Sequence, residues 1–233
     1  MGVLGIIGGM GPAATDLLYQ RIIARTDADC DQQHLDMIIL NHSSMPDRTT
    51  AIKSGNVDAV VDKLIEDAKF LQNSGVATIA IPCNTSHYFY DTVQKAVDVP
   101  IINMVRETVQ TVKAKGRKRI CVLATDGTIM TGIYKTECEK EGLEYVAPDA
   151  DTQKIVMQII YDQIKKGFPG SLEDFQKIDR YAKANGCDGA ILACTELSVL
   201  RQEQRLSDYY TDALEVLCEK AITTCGKNLR ERI

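Results

Sequence analysis

Two cysteines in this sequence close the same nine-residue pattern. Gly75-Val-Ala-Thr-Ile-Ala-Ile-Pro-Cys83 and Gly186-Cys-Asp-Gly-Ala-Ile-Leu-Ala-Cys194 each run from a glycine through an apolar strand to a cysteine. The two cysteines stand 111 residues apart, close to half of the 233-residue chain. Small polar residues follow each, Asn84-Thr85-Ser86 in one case and Thr195-Glu196 in the other, ahead of a helix. A helix N-terminus lowers a thiol pKa from about 8.5 and offers unpaired N–H groups to anions, so either cysteine is suited to proton transfer. Taken singly, a cysteine at a strand end is more often packing than chemistry. The matched pair changes that reading. Two thiols on opposite sides of one carbon supply what inversion needs: one takes the α-proton from one face while the other delivers a proton to the opposite face, and the roles exchange for the other enantiomer. Without an electron sink, the developing carbanion must be held by helix N-termini and polar groups in a cleft poor in water. Asn84, Thr85 and Thr195 stand beside the thiols to contribute.

The elements that must position these residues read as an alternation of strands, over 3–7, 37–40, 78–81, 101–102, 120–123, 143–147 and 189–193, with helices. The clearest helix covers 57–73, where Val60, Leu64, Ala68 and Leu71 recur on one face before Gly75. Others are expected over 14–28, 88–97, 131–141, 154–166, 172–184 and 211–225, with Thr211 capping the last. Strands alternating with helices imply parallel sheets covered on both faces. Self-similarity extends to the first strands: Ile6-Ile7-Gly8-Gly9-Met10-Gly11 and Val122-Leu123-Ala124-Thr125-Asp126-Gly127 each leave a strand for a glycine-bearing turn. The fold expected is α/β, two similar parallel-sheet domains related by a pseudo-two-fold axis. The first domain is expected over 1–100 plus 209–233 and the second over 101–208. Ligands of open α/β sheets bind beyond the carboxyl ends of strands, which sets Cys83 and Cys194 facing one cleft between the domains. Two chain crossings beside that cleft would form a hinge.

Composition narrows the classes. The apolar fraction of 45% and charged fraction of 25% are ordinary for a globular chain. A net charge of −5 without a clustered basic surface argues against a nucleic-acid partner. No run approaches the ~18 apolar residues of a membrane span, and no basic segment opens the chain, so a cytoplasmic protein without membrane contact is expected. The eight cysteines include no C-x-x-C pair, so reduced thiols are expected, and three histidines offer no zinc spacing; no metal is expected. Gly9-Met10-Gly11-Pro12-Ala13-Ala14 matches a G-x-G-x-x-A dinucleotide fingerprint, but the second strand ends Leu40-Asn41-His42, without the acid that would bind a ribose.

Gly8-Gly9-Met10-Gly11-Pro12, Pro82-Cys83-Asn84-Thr85-Ser86-His87 and Ala193-Cys194-Thr195-Glu196 resemble the aspartate/glutamate racemase family, its aspartate racemase branch above all, with motifs in both halves. The resemblance implies cofactor-independent racemisation of an acidic amino acid, L-aspartate first and glutamate second, and a homodimer. It assigns Cys83 and Cys194 as acid and base, and Met10 and Gly11 to the first substrate loop. Asn84, Thr85 and Thr195 would hold the α-carboxylate and α-amino group. Arg48 and Lys165 would grip the side-chain carboxylate, with Lys166 the alternative to Lys165. Arg48 reads otherwise as a surface charge, and either lysine as a complement to a helix dipole. His42 reads as scaffolding; His87 as tuning the thiol or capping a turn; Glu196 as orienting the site or starting a helix. One departure stands out: Tyr210 falls where family members often carry Asp. Other carbanion chemistry of the superfamily, such as decarboxylation or isomerisation, and a non-catalytic amino-acid binding protein are the alternatives.

Overall fold

The alternation of strands and helices appears in a computed structural model that describes residues 2–204 and 206–231. The ends of the first expected domain, residues 1 and 232–233, and residue 205 of the second lie outside the described residues. β1 (Leu4–Gly8) is wholly buried and pairs in parallel with β2 (Met37–Asn41) on one side and β3 (Thr78–Ala80) on the other. Beyond β3, Ile101 forms a single parallel bridge to Ile79, so the strand expected over 101–102 is reduced to one contact. In the second sheet β4 (Arg119–Leu123) lies between β5 (Glu144–Val146) and β6 (Gly189–Leu192), and β7 (Tyr210–Asp212) extends the far edge. The orders β2-β1-β3-Ile101 and β5-β4-β6-β7 are the same plan used twice, which is the repeat the glycine-to-cysteine spacing indicates.

Helices fill every connection. In the first half these are α1 (Pro12–Arg25), α2 (Arg48–Ser54), α3 (Asp58–Asn73), α4 (Tyr90–Gln94) and α5 (Met104–Ala114). The second half has α6 (Asp126–Thr131), α7 (Ile133–Lys140), α8 (Ala150–Met157), α9 (Leu172–Ala184), α10 (Thr195–Gln204) and α11 (Ala213–Thr224). The last helix of each half crosses over. Val105, Val109 and Val112 of α5 pack with Ile120 and Val122 of β4, whereas Leu214, Leu217 and Ala221 of α11 pack with Leu4 and Ile6 of β1. The halves are thereby laced together, each such buried Leu or Val contributing roughly 1.5–3 kcal/mol through burial. Asp212 secures the second crossing. Its Oδ1 accepts from Leu214 N–H at 2.9 Å, capping α11, and from Ser198 Oγ at 2.6 Å, while Oδ2 takes Arg21 of α1 at 2.7 Å. The cap expected of Thr211 therefore belongs to Asp212, because the strand continues through that residue.

Two expected helices are interrupted. The segment expected over 154–166 leaves α8 for a π-helical turn at Gln158–Gln163 and a 3-10 turn at Ile164–Lys166. The segment expected over 88–97 starts as a 3-10 turn at Thr85–Phe89 before α4. Tyr210 is absorbed by the second core. Its ring lies 5.2 Å from that of Phe175, and its hydroxyl pairs with Asp179, away from the strand ends. Among the described residues no helix is long and apolar enough to cross a membrane.

Candidate active site

Both cysteines emerge just beyond the carboxyl ends of equivalent central strands, Cys83 after β3 and Cys194 after β6. They wall one inner cavity of about 20 Å3, with Met10, Arg48, Asn84, Thr85, Lys165 and Thr195 also on its lining. That is room for about a single water. A larger cavity of about 290 Å3 adjoins it, lined by Gly11 and sharing Met10, Arg48, Lys165 and Glu196. Of the nine residues proposed from sequence, eight meet at the inner cavity and Gly11 lines the outer one.

Each side chain has a local reason for its position. Gly9 turns the chain out of β1 with φ +86°, where a Cβ would lie 2.5 Å from the His42 carbonyl carbon. Thr15 Oγ1 accepts the Gly9 N–H at 2.9 Å, and Pro12 opens α1, which fixes Met10 and Gly11 between them. Asp47 caps α2 through Thr50 N–H at 2.8 Å and so sets Arg48 at the first turn. Arg48 is buried. Its guanidinium donates to Pro46 O at 2.9 Å and leaves Nε without a partner among the described residues. Thr85 meets Thr125 at 3.0 Å and Thr128 at 2.9 Å, joining hydroxyls from the two halves.

The electrostatics of Cys194 reverse the expectation of a lowered thiol pKa. Its Sγ donates to Glu196 Oε2 at 2.9 Å. Burial pushes the thiol well up, and the Glu196 carboxylate pushes further in the same direction. Lys165 and the Glu196 backbone N–H pull it down by less. The helix-terminus effect is present but outweighed. Glu196 Oε1 in turn holds Lys165 Nζ at 2.9 Å. Burial would neutralise Lys165, but Glu196 and Cys194 hold its pKa above the usual lysine range. Lys165 also lies 5.2 Å from the Tyr161 ring centroid. Lys166, by contrast, turns outward to Asp162 at 2.8 Å.

His42 and His87 serve the scaffold. His42 pairs with Asp67 at 2.8 Å. His87 lies 2.8 Å from the Cys83 carbonyl through Nδ1 and accepts Met104 N–H at Nε2 at 3.1 Å. Burial lowers its pKa, so the neutral imidazole anchors the Cys83 turn to α5. Among the described residues no group of three His, Cys, Asp or Glu is arranged to hold a metal ion.

Four cavity residues escaped the sequence reading: Asp47, Thr49, Thr125 and Tyr161. The repeat carried a signal for Thr125, which occupies the strand-end turn matching the glycine loop of the first half. Tyr161 sits in the π-helical turn, where a 3.6-residue period misassigns faces.

The chain is similar to known proteins in both sequence and fold. A family model described as Asp/Glu/Hydantoin racemase matches residues 7–221. The broad specificity amino-acid racemase RacX of Bacillus subtilis is 28% identical, over 95% of this chain and 97% of its own. An aspartate racemase from Picrophilus torridus superposes with a TM-score of 0.83 at 29% identity, covering 99% of this chain and 96% of that one. An aspartate racemase homologue from Pyrococcus horikoshii gives 0.79 at 26%, covering 97% and 99%.

Proposed function

The chain belongs to the Asp/Glu/Hydantoin racemase family and is an amino-acid racemase; from that premise we propose that it interconverts the enantiomers of an acidic amino acid, aspartate first and glutamate second, with Cys83 and Cys194 as the two proton-transfer groups and no pyridoxal. The observation that carries this reading is the pair of cysteines at equivalent strand ends on one cavity that also bears Arg48 and Lys165. A dicarboxylate finds two cations there, and the α-carbon lies between the thiols.

The chemistry follows from the environment. Burial and then the Glu196 carboxylate hold Cys194 as the thiol, the form that donates. For one enantiomer, Cys83 as thiolate takes the α-proton. The electron pair of the broken C–H bond stays on the carbon and spreads into the α-carboxylate. The Cys194 proton then reaches the opposite face, leaving Cys194 as thiolate and Cys83 as thiol, the pair required for the reverse direction. Asn84, Thr85 and Thr195 receive the α-carboxylate and α-amino group, where donors act most strongly on the charge that develops in the transition state. A cavity of about 20 Å3 is closed to an amino acid, so entry requires the halves to part. We take the two expected units, 1–100 plus 209–233 and 101–208, as the bodies that move, with their edges shifted so that β7 stays paired to β6 in the second and Ile101 to Ile79 in the first, and the substrate as what re-closes them. A cytoplasmic homodimer belongs to the same proposal, and sedimentation of the pure protein tests the dimer.

The test is incubation of the purified protein, without cofactor, with L-aspartate and separately with L-glutamate, followed by chiral chromatography. D-aspartate accumulating to an equal mixture supports the reading. Inertness toward both amino acids overturns the acidic substrate.

A further inference from the structure

The carboxamide of Asn84 has one end engaged and one end open. Asn84 directly follows Cys83, is 2% exposed and lines the inner cavity. Its Oδ1 accepts a hydrogen bond from the Tyr134 hydroxyl at 2.5 Å. Its Nδ2 is buried and has no partner among the described residues. An unmade hydrogen bond of this kind costs free energy comparable to a made one, so a buried NH2 on a cavity wall calls for a ligand acceptor.

The two ends of a carboxamide have nearly the same shape, so hydrogen bonds decide which way it points. Tyr134 is 1% exposed and also hydrogen-bonded to Thr108, so its hydroxyl is held in place at the carboxamide. Donating to Oδ1, it engages that end and leaves Nδ2 as the end offered to the cavity. Tyr134 is not itself on the lining; it sits in the second core with Ile191 and Ala193, the strand leading to Cys194. The hydrogen bond therefore spans the halves: Tyr134 comes from α7 and Asn84 from the turn after β3. The parting of the halves proposed above would break it, and closure would restore it.

We infer that Tyr134 is a positioning residue, which acts through Asn84 to hold an N–H donor ready for the substrate carboxylate only in the closed arrangement. The inference rests on the racemase reading above. As charge moves from the α-carbon into the carboxylate, a donor fixed in place strengthens its bond without having to reorient, so the effect falls mainly on kcat.

The test is a double-mutant cycle on aspartate racemisation, with Tyr134→Phe, Asn84→Ala and the pair, each also melted thermally. Tyr134→Phe keeps the ring and removes only the hydroxyl. We expect it to lower kcat/KM about 10- to 100-fold, the loss of one hydrogen bond at a buried site. Asn84→Ala should lose at least as much, and the double variant should be no slower than Asn84→Ala alone. Equal loss from Tyr134→Phe in the Asn84→Ala background overturns the inference, because the hydroxyl then acts elsewhere. Should Tyr134→Phe fail to fold, Asn84→Asp carries the test. Its carboxylate still accepts from Tyr134 but offers no N–H, so activity must fall as in Asn84→Ala while the melting temperature holds; retained activity overturns the inference. A parent enzyme inert to both acidic amino acids overturns the racemase reading and the inference with it. Additive losses on an active parent overturn the inference alone.

Discussion

Replacing Glu196 by Gln should turn Cys194 from a reluctant thiol into an available thiolate. The wild-type thiol donates to the Glu196 carboxylate at 2.9 Å, and its pKa is raised by burial and then by that charge. The sign follows directly. A raised pKa keeps the proton on through neutral pH, and removing the carboxylate leaves burial opposed by Lys165, so the proton comes off at lower pH. A hydrogen bond to a charged group is worth about 1.5–3 kcal/mol, which at ~1.4 kcal/mol per factor of ten changes the thiolate fraction at fixed pH about 10- to 150-fold. Lys165, released from its 2.9 Å pairing with Glu196, adds to the effect by facing the sulfur alone. The assay is alkylation by iodoacetamide across pH 6–10 in a Cys83→Ser background. Peptide mass spectrometry separates Cys194 from the exposed Cys30. The rate at Cys194 should rise by that factor at pH 8, and its pH midpoint should fall. An unchanged or higher midpoint would refute the reasoning, since Glu196 would then not be what holds the proton.

Other outcomes follow from the same geometry. Lys165→Ala should raise KM for aspartate at least tenfold, whereas Lys166→Ala, which removes only an outward pair with Asp162, should leave steady-state kinetics within twofold. Gly127→Ala should separate stability from activity. Alanine favours a helix by about 1 kcal/mol, but its Cβ would meet the Thr49 backbone at 2.9 Å across the α2–α6 contact, so turnover should drop tenfold or more while the melting temperature changes by only a few degrees. Arg21→Met leaves the buried Asp212 without its cation. Calorimetry should show a loss of about 3 kcal/mol, roughly 6–12 °C at this chain size.

Much of this architecture was legible because the repeat is written in local chemistry. The matched glycine-to-cysteine segments located both central strands and both strand-end thiols, and periodicity located α3 and α9 to within a residue. What could not be read has physical causes. The exchange of α5 and α11 between sheets depends on long-range packing, which no local pattern specifies. Helix propensity offers no signal for a π-turn, so Tyr161 could not be assigned to the cavity. The general rule that a helix N-terminus acidifies a thiol failed at Cys194, because burial and a carboxylate two residues away outweigh it. The choice between Lys165 and Lys166, open in sequence, turned on a 3-10 turn that sends one side chain inward and its neighbour to solvent.

The most direct test of the two-thiol account is proton exchange in deuterium oxide, with wild type, Cys83→Ser and Cys194→Ser incubated separately with L- and D-aspartate and followed by NMR. Two opposed groups predict that, at early times, wild type puts solvent deuterium into the product enantiomer while the remaining substrate keeps its α-proton, and that each substitution abolishes inversion in both directions. Racemisation that survives either substitution, or deuterium that enters substrate and product at equal early rates, would contradict it.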